Sequence, residues 1–193
     1  MKFIKKVCII ALFVFSSIIS AQNHTIGISW EPYFFVTEKN TDLVGSDIDE
    51  SAKGIWGYES IYLSYKYNIS NIFAFGIKTG YMDVSDENFT GYQAGGYLYY
   101  NPTRRIYLLA GFNYHFNKEE TSRNRKALDT TIPFFVTGFG TRFSDESILS
   151  VGLLVHFPLK NKFAESVDVV NNISTRFEVS WMWKLSVGVE FDL

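Results

Sequence analysis

Sulfur chemistry is nearly absent from this chain, whose one cysteine is Cys8. Disulfides, cysteine nucleophiles and thiolate metal sites are excluded if Cys8 is lost, as argued below. Proline is scarce, with 4 residues, so little interrupts extended backbone. Beyond residue 21 no stretch approaches the roughly 18 unbroken apolar residues of a spanning helix, which excludes a membrane helix from the rest of the chain. An excess of positive charge is also missing: 18 basic residues face 20 acidic ones. That balance argues against nucleic acid as a partner. Histidine is limited to 3 residues, and no spacing of oxygen or nitrogen donors matches a metal loop, so neither metal nor cofactor is expected.

What is present begins with a leader. Lys2, Lys5 and Lys6 form a basic start, Val7 to Phe15 an apolar run, and Ser16 to Ala21 a small-residue stretch. Together these make a secretory signal peptide, residues 1–21, with cleavage expected after Ala21 or one residue earlier. Cys8 leaves with it. Three lysines leave as well, so the remaining 15 basic and 20 acidic residues of 22–193 carry a formal charge of about −5.

The rest is rich in aromatic residues, at 18% of the chain, and its dominant period is two. From Arg176 to Leu193 the alternation has no error. Phe177, Val179, Trp181, Trp183, Leu185, Val187, Val189, Phe191 and Leu193 share one parity; Arg176, Glu178, Ser180, Met182, Lys184, Ser186, Gly188, Glu190 and Asp192 share the other. At about 3.3 Å per residue such a strand crosses a bilayer even when tilted. Similar patterns place seven earlier strands near 25–36, 55–67, 72–82, 91–100, 105–116, 131–143 and 148–158. Pro32 marks a bulge in the first. Polar stretches at 37–54, 83–90, 117–130 and 159–174 alternate with tight turns at 68–71, 101–104 and 144–147, a rhythm of long and short connections. The expected fold is all-β: a closed antiparallel up-and-down barrel of eight strands, polarised across a membrane, with short periplasmic turns and long extracellular loops.

Alternation alone does not say which face looks inward, and a soluble secreted barrel with an apolar inside is the rival. Volume separates them. An eight-stranded interior is only just wide enough for side chains to fill. The apolar faces carry Trp, Phe or Tyr on every strand and would overfill it. The opposite faces carry Gly27, Gly76, Gly80, Gly95, Gly111, Gly138, Gly140, Gly152 and Gly188 among charges, and fit. The greasy face is therefore expected to meet lipid, and a sheet in hydrocarbon must close because unpaired backbone groups there cost several kcal/mol each. Two aromatic girdles are expected, Trp56, Tyr58, Tyr81, Tyr92, Phe116, Phe177 and Trp181 toward the loops, and Tyr67, Phe73, Tyr100, Phe143 and Phe191 toward the turns.

In these features residues 22–193 resemble the small eight-stranded outer-membrane β-barrel superfamily, the kind seen in outer-membrane proteins A and X of diderm bacteria. The sharpest local likeness is Ser186-x-Gly188-x-x-Phe191-x-Leu193, which looks like the terminal signal read by the barrel-assembly machinery; Leu193 departs from the commoner terminal aromatic. The resemblance implies an outer-membrane location reached by export, contact with outer-membrane lipid and lipopolysaccharide, assembly by that machinery, a monomer, and no catalytic residue.

By parity Glu31, Lys66, Lys78, His115, Arg142, His156, Arg176, Glu178, Lys184 and Glu190 point into the lumen. Charges so confined must pair or be hydrated. They read as a polar plug inside a structural or surface-interaction protein; the alternative is a narrow porin-like channel for small solutes. A lipid A-modifying enzyme is a third reading. It needs a serine and an acid beside a histidine at the lipid-facing rim, and neither His115 nor His156, both of lumen parity, has a serine two residues on. Asp42, Asp47, Asp49, Glu50, Asp83, Asp86 and Glu87 make two loops acidic, and Lys118, Arg123, Arg125 and Lys126 lie in the third; solvated surface charge is their simplest role, with divalent cations or lipopolysaccharide at the acidic loops and lipid phosphate at the third as the alternative.

Overall fold

The computed structural model describes residues 24–43, 49–82, 89–117, 125–127, 131–143, 148–168 and 173–193. The leader, 1–21, lies outside them. The described chain holds no helix; it forms β1 (His24–Trp30), β2 (Tyr33–Leu43), β3 (Asp49–Tyr58), β4 (Ser60–Asn68), β5 (Phe73–Met82), β6 (Gly91–Tyr100), β7 (Ile106–Asn117), β8 (Arg125–Ala127), β9 (Thr131–Arg142), β10 (Leu149–Pro158), β11 (Lys162–Asp168) and β12 (Ile173–Asp192).

Two of the expected strands are split. Glu31 and Pro32 interrupt β1 and β2, because proline has no N–H to give a ladder, and Glu59 separates β3 from β4. Backbone bonds still cross the break: Glu31 N–H donates to the Ser60 carbonyl at 2.7 Å, and Ser60 N–H to that of Glu31 at 3.1 Å. Counting each split pair as one stave gives eight, all antiparallel, in the order β1/β2, β3/β4, β5, β6, β7, β9, β10, β12. β1 pairs with β4 on one side (Ile28 opposite Leu63) and with β12 on the other (Ile28 opposite Val189), so the sheet closes. Leu193 N–H donates to the His24 carbonyl at 2.8 Å, fastening the two ends of the described chain at the end where the short connections lie, here the near end.

The outward face is apolar. Ile28, Trp30, Ile61, Leu63, Phe75, Ile77, Leu98, Phe112, Phe139, Trp183, Leu185 and Phe191 are all exposed, while Thr25, Ser29, Lys66, Gln93, Asn113, Ser150, Lys184 and Ser186 are buried. A barrel this greasy outside and polar inside is a transmembrane barrel.

Three expectations are corrected. The stretch 37–54, read as loop, is strand as far as Leu43 and again from Asp49; β8 and β11 likewise lie inside stretches read as loops. At the far end β2, β3, the first half of β12, β11 and β8 continue as one sheet, so one wall stands taller than the rest. The second correction concerns β12. Its register with β2 shifts between Val179 and Trp181, leaving Ser180 as the extra residue of a bulge. Below the bulge the odd residues face out, as expected; above it Thr175, Phe177 and Val179 are buried and Arg176 and Glu178 are turned outward. Phe177 therefore belongs to no girdle. Tyr58 does not either: its ring packs on Tyr33 and Phe35 at centroid distances of 6.1 and 6.0 Å. The third correction is that the interior is not only glycine and charge. Tyr33, Phe35, Tyr62, Tyr97, Tyr99, Tyr107 and Phe134 are buried in it.

Candidate functional site in the barrel lumen

Register explains how tyrosines fit a narrow barrel. Tyr62, Tyr97, Tyr99 and Tyr107 each lie over an inward glycine on a neighbouring strand. A Cβ built on Gly76 would come within 2.8 Å of the Tyr99 ring, one on Gly111 within 2.9 Å of that of Tyr97, and one on Gly152 within 2.6 Å of the Tyr107 hydroxyl. Gly80 is overlain by Tyr62, and Gly140 by the Tyr107 ring. The glycines anticipated as lumen space are thus recesses already occupied by side chains.

The charges form tiers. Nearest the short connections, Lys66 Nζ sits 2.6 Å from Glu190 Oε2, and Arg142 Nη2 reaches the same oxygen at 3.2 Å. The Lys66 ammonium also lies 5.0 Å from the centre of the Tyr99 ring. One tier further in, Glu31 Oε1 is ion-paired with Lys78 and accepts hydrogen bonds from Ser29 Oγ at 3.0 Å and Ser186 Oγ at 2.8 Å. A cavity of about 20 Å³, lined in part by Ser29, Ser64, Lys78, Tyr107 and Glu190, separates the two tiers. It has room for about one water.

The third tier is centred on Gln93. Its Oε1 accepts from the Tyr62 hydroxyl, from Asn113 Nδ2 at 2.8 Å and from Lys184 Nζ at 2.8 Å. Lys184 Nζ also donates to the Tyr62 oxygen and lies 3.6 Å from Met82 Sδ. At the far mouth Phe89 is wholly buried. It stacks on His115 at 4.1 Å and on Phe35 at 5.5 Å, and meets Phe134 edge-on at 6.5 Å. His156 is edge-on to Phe134 at 5.8 Å.

Of the ten residues expected in the lumen, Glu31, Lys66, Lys78, His115, Arg142, His156, Lys184 and Glu190 point into it, and the ion pairs join Glu31 to Lys78 and Glu190 to Lys66 and Arg142. Arg176 and Glu178 do not, because the bulge at Ser180 turns them outward. Periodicity also passed over Tyr62, Gln93 and Asn113 as site members, although their parity was inward. Phe89 carries no periodic signal, since it lies off the strands. Of the terminal signal, Ser186 and Gly188 face the lumen while Phe191 and Leu193 are exposed. Asp47, Asp83, Asp86, Glu87, Lys118 and Arg123 lie outside the described residues, and among the described ones no cluster of His, Asp and Glu is arranged to hold a metal ion.

No family model and no curated protein matches this chain. Solved structures do. OprG, an outer membrane protein of Pseudomonas aeruginosa, aligns over 90% of this chain and 100% of its own, with 14% identity and a TM-score of 0.52. Neisserial surface protein A aligns over 85% and 97%, with 19% identity and a TM-score of 0.42. A FadL homologue of P. aeruginosa aligns over 89% of this chain at 13% identity and a TM-score of 0.40, and the chain spans about half of that protein's length. The likeness to OprG is one of fold: a small outer-membrane barrel.

Proposed function

We propose that this chain is an integral outer-membrane protein whose lumen is plugged and whose role is structural or surface-facing, not one of passage or catalysis. The observation that carries the reading is the filling of the lumen, with Tyr62, Tyr97, Tyr99 and Tyr107 seated in glycine recesses, three ion pairs among them, and Phe89 packed across the mouth. What space is left between the charged tiers has room for about one water. Side chains crossing a narrow interior in this way, most of the charged ones paired with one another, leave no continuous aqueous path. The fold shared with OprG supports the outer membrane as location; export is assigned to the leader 1–21 on its sequence alone. The connections after Asn68, Tyr100 and Arg142 then face the periplasm. Outer-membrane lipid and lipopolysaccharide are the surroundings, the barrel-assembly machinery the expected loader, and a monomer the expected state. A lipid A-modifying activity gains no support, since His115 and His156 are buried in the lumen, away from the lipid-facing rim.

Planar-bilayer recording on the refolded protein tests the reading. A silent membrane is expected at ordinary salt. Discrete, reproducible openings that vanish when Gly152 is replaced by leucine would establish the narrow channel instead.

A further inference from the structure

Cations outnumber carboxylates inside this barrel. Among the described residues the lumen holds Lys66, Lys78, Arg142 and Lys184 against Glu31 and Glu190, with Asp192 exposed at the near rim. Both carboxylates are engaged: Glu31 with Lys78, Glu190 with Lys66 and Arg142. Lys184 is fully buried and is in no ion pair among the described residues. Its ammonium meets the Tyr62 oxygen, Gln93 Oε1 and Met82 Sδ, and lies 4.5 and 5.6 Å from the ring centres of Tyr62 and Tyr33. Neutral dipoles and ring faces solvate a cation but do not neutralise it, and an uncompensated buried charge is strongly destabilising.

The neighbours add mostly donors, beside one buried acceptor without a partner, Asn113 Oδ1. Three donors converge on Gln93 Oε1, which fixes that amide, and its Nε2 is buried with no hydrogen-bond partner. Both ring nitrogens of His156 are buried without one as well. Lys184 sits opposite Leu154 on β10, so His156, two residues on, is its diagonal inward neighbour. Gln93 sits opposite His115, the residue on which Phe89 stacks. An ammonium in no ion pair, an idle amide N–H₂ and an idle imidazole N–H in one buried tier make the chemistry of an anion receptor.

We propose that the tier of Lys184, Gln93 and His156, beneath the aromatic mouth closed by Phe89, binds one small monovalent anion, either a halide or a short-chain carboxylate. A divalent or bulky anion does not suit it, because one cation is in surplus there and rings of Tyr33, Phe35 and Phe134 crowd the same end of the lumen. Phe89 is the one large core ring among the described residues that lies off the strands. The site rests on the closed-lumen reading, yet the two fail separately: conductance judges the lumen and anion binding judges the site.

The test uses the barrel folded in detergent, free of chloride, titrated with sodium bromide, sodium acetate or sodium gluconate. The expected result is a saturable rise in unfolding temperature with bromide, acetate or both, little with gluconate, and loss of that rise in Lys184→Met. Crystals grown with bromide should show an anomalous peak within hydrogen-bonding distance of Lys184 Nζ. Bromide against acetate in competition assigns the halide or the carboxylate. An equal, unsaturating effect of all three salts, or the same rise in Lys184→Met, overturns the proposal. So does binding at crystal concentration only, which would leave Lys184 a buried neutral amine. If Lys184→Met does not fold, the wild-type titration and the anomalous peak decide alone.

Discussion

Glu31 shows how much of the lumen depends on single side chains. One carboxylate takes an ion pair from β5 and hydroxyl bonds from β1 and β12, tying together three of the strands that close the barrel. Removing one partner of a buried pair typically costs about 3–5 kcal/mol, whereas replacing both by apolar groups of similar volume is often neutral. Glu31→Gln should therefore lower the free energy of urea unfolding in lipid vesicles by an amount of that order, and adding Lys78→Met should recover much of it. A double variant no better than the single one would mean that the serine bonds, not the ion pair, carry the stability. The glycines give a second residue-scale prediction. A side chain at Gly140 collides with the Tyr107 ring, while a Cβ at Gly96, facing lipid, meets only the Phe75 ring at an ordinary 3.6 Å. Overpacking a filled interior costs about 1–3 kcal/mol. Gly140→Val should thus unfold at clearly lower urea than wild type, and Gly96→Ala should match wild type within about 0.5 kcal/mol.

At the scale of the element, β12 carries the lesson about reading strands from sequence. Its alternation is flawless over 18 residues, and that flawlessness is what hides the bulge at Ser180. A single extra residue flips parity while leaving the pattern intact, so the same apolar set faces lipid as Trp181, Trp183 and Leu185 and then faces inward as Phe177 and Val179. The inversion has a physical cause. Where the strand leaves hydrocarbon and enters water, its outward face must become polar, as Arg176 and Glu178 make it, and its apolar face must find cover inside. Strand existence, the inside-out assignment and six of the charged lumen residues were legible because period two and interior volume decide them. The pairings were not, since which lysine meets which glutamate depends on register, and register is set by long-range closure, not by local pattern. Phe89 was illegible for the opposite reason: off the strands there is no period to read. The bulge makes a direct prediction. Residues 22–193 hold no cysteine, so single cysteines can be placed on a barrel of those residues; Glu178→Cys should react readily with a membrane-impermeant maleimide, while Val179→Cys should react at a rate at least tenfold lower. The reverse order would restore unbroken parity and return Arg176 and Glu178 to the lumen.

For the molecule as a whole the decisive step is closure, because an open edge in lipid leaves a row of backbone groups with no partner. The seam is β1 against β12, running from Trp30 opposite Val187 to Thr25 opposite Asp192, with Thr25 Oγ1 donating to Asp192 Oδ1 at 2.6 Å. Residues 186–193 complete the seam, and on the function proposed above they would also carry the assembly signal. Their side chains divide by face. Ser186 bonds Glu31 inside, whereas Phe191 and Leu193 point outward and touch neither the charged tiers nor the aromatic mouth. Replacing both Phe191 and Leu193 by alanine keeps every backbone bond of the seam and every lumen contact. Refolding of that variant into pure lipid should then proceed with the wild-type yield and the wild-type shift in gel mobility between heated and unheated samples. In cells, where assembly must be signalled, its folded level in the outer membrane should fall several-fold. Equal losses in both settings would make the two side chains part of the barrel's own stability in lipid, and no loss in either would remove the terminal motif as an assembly signal.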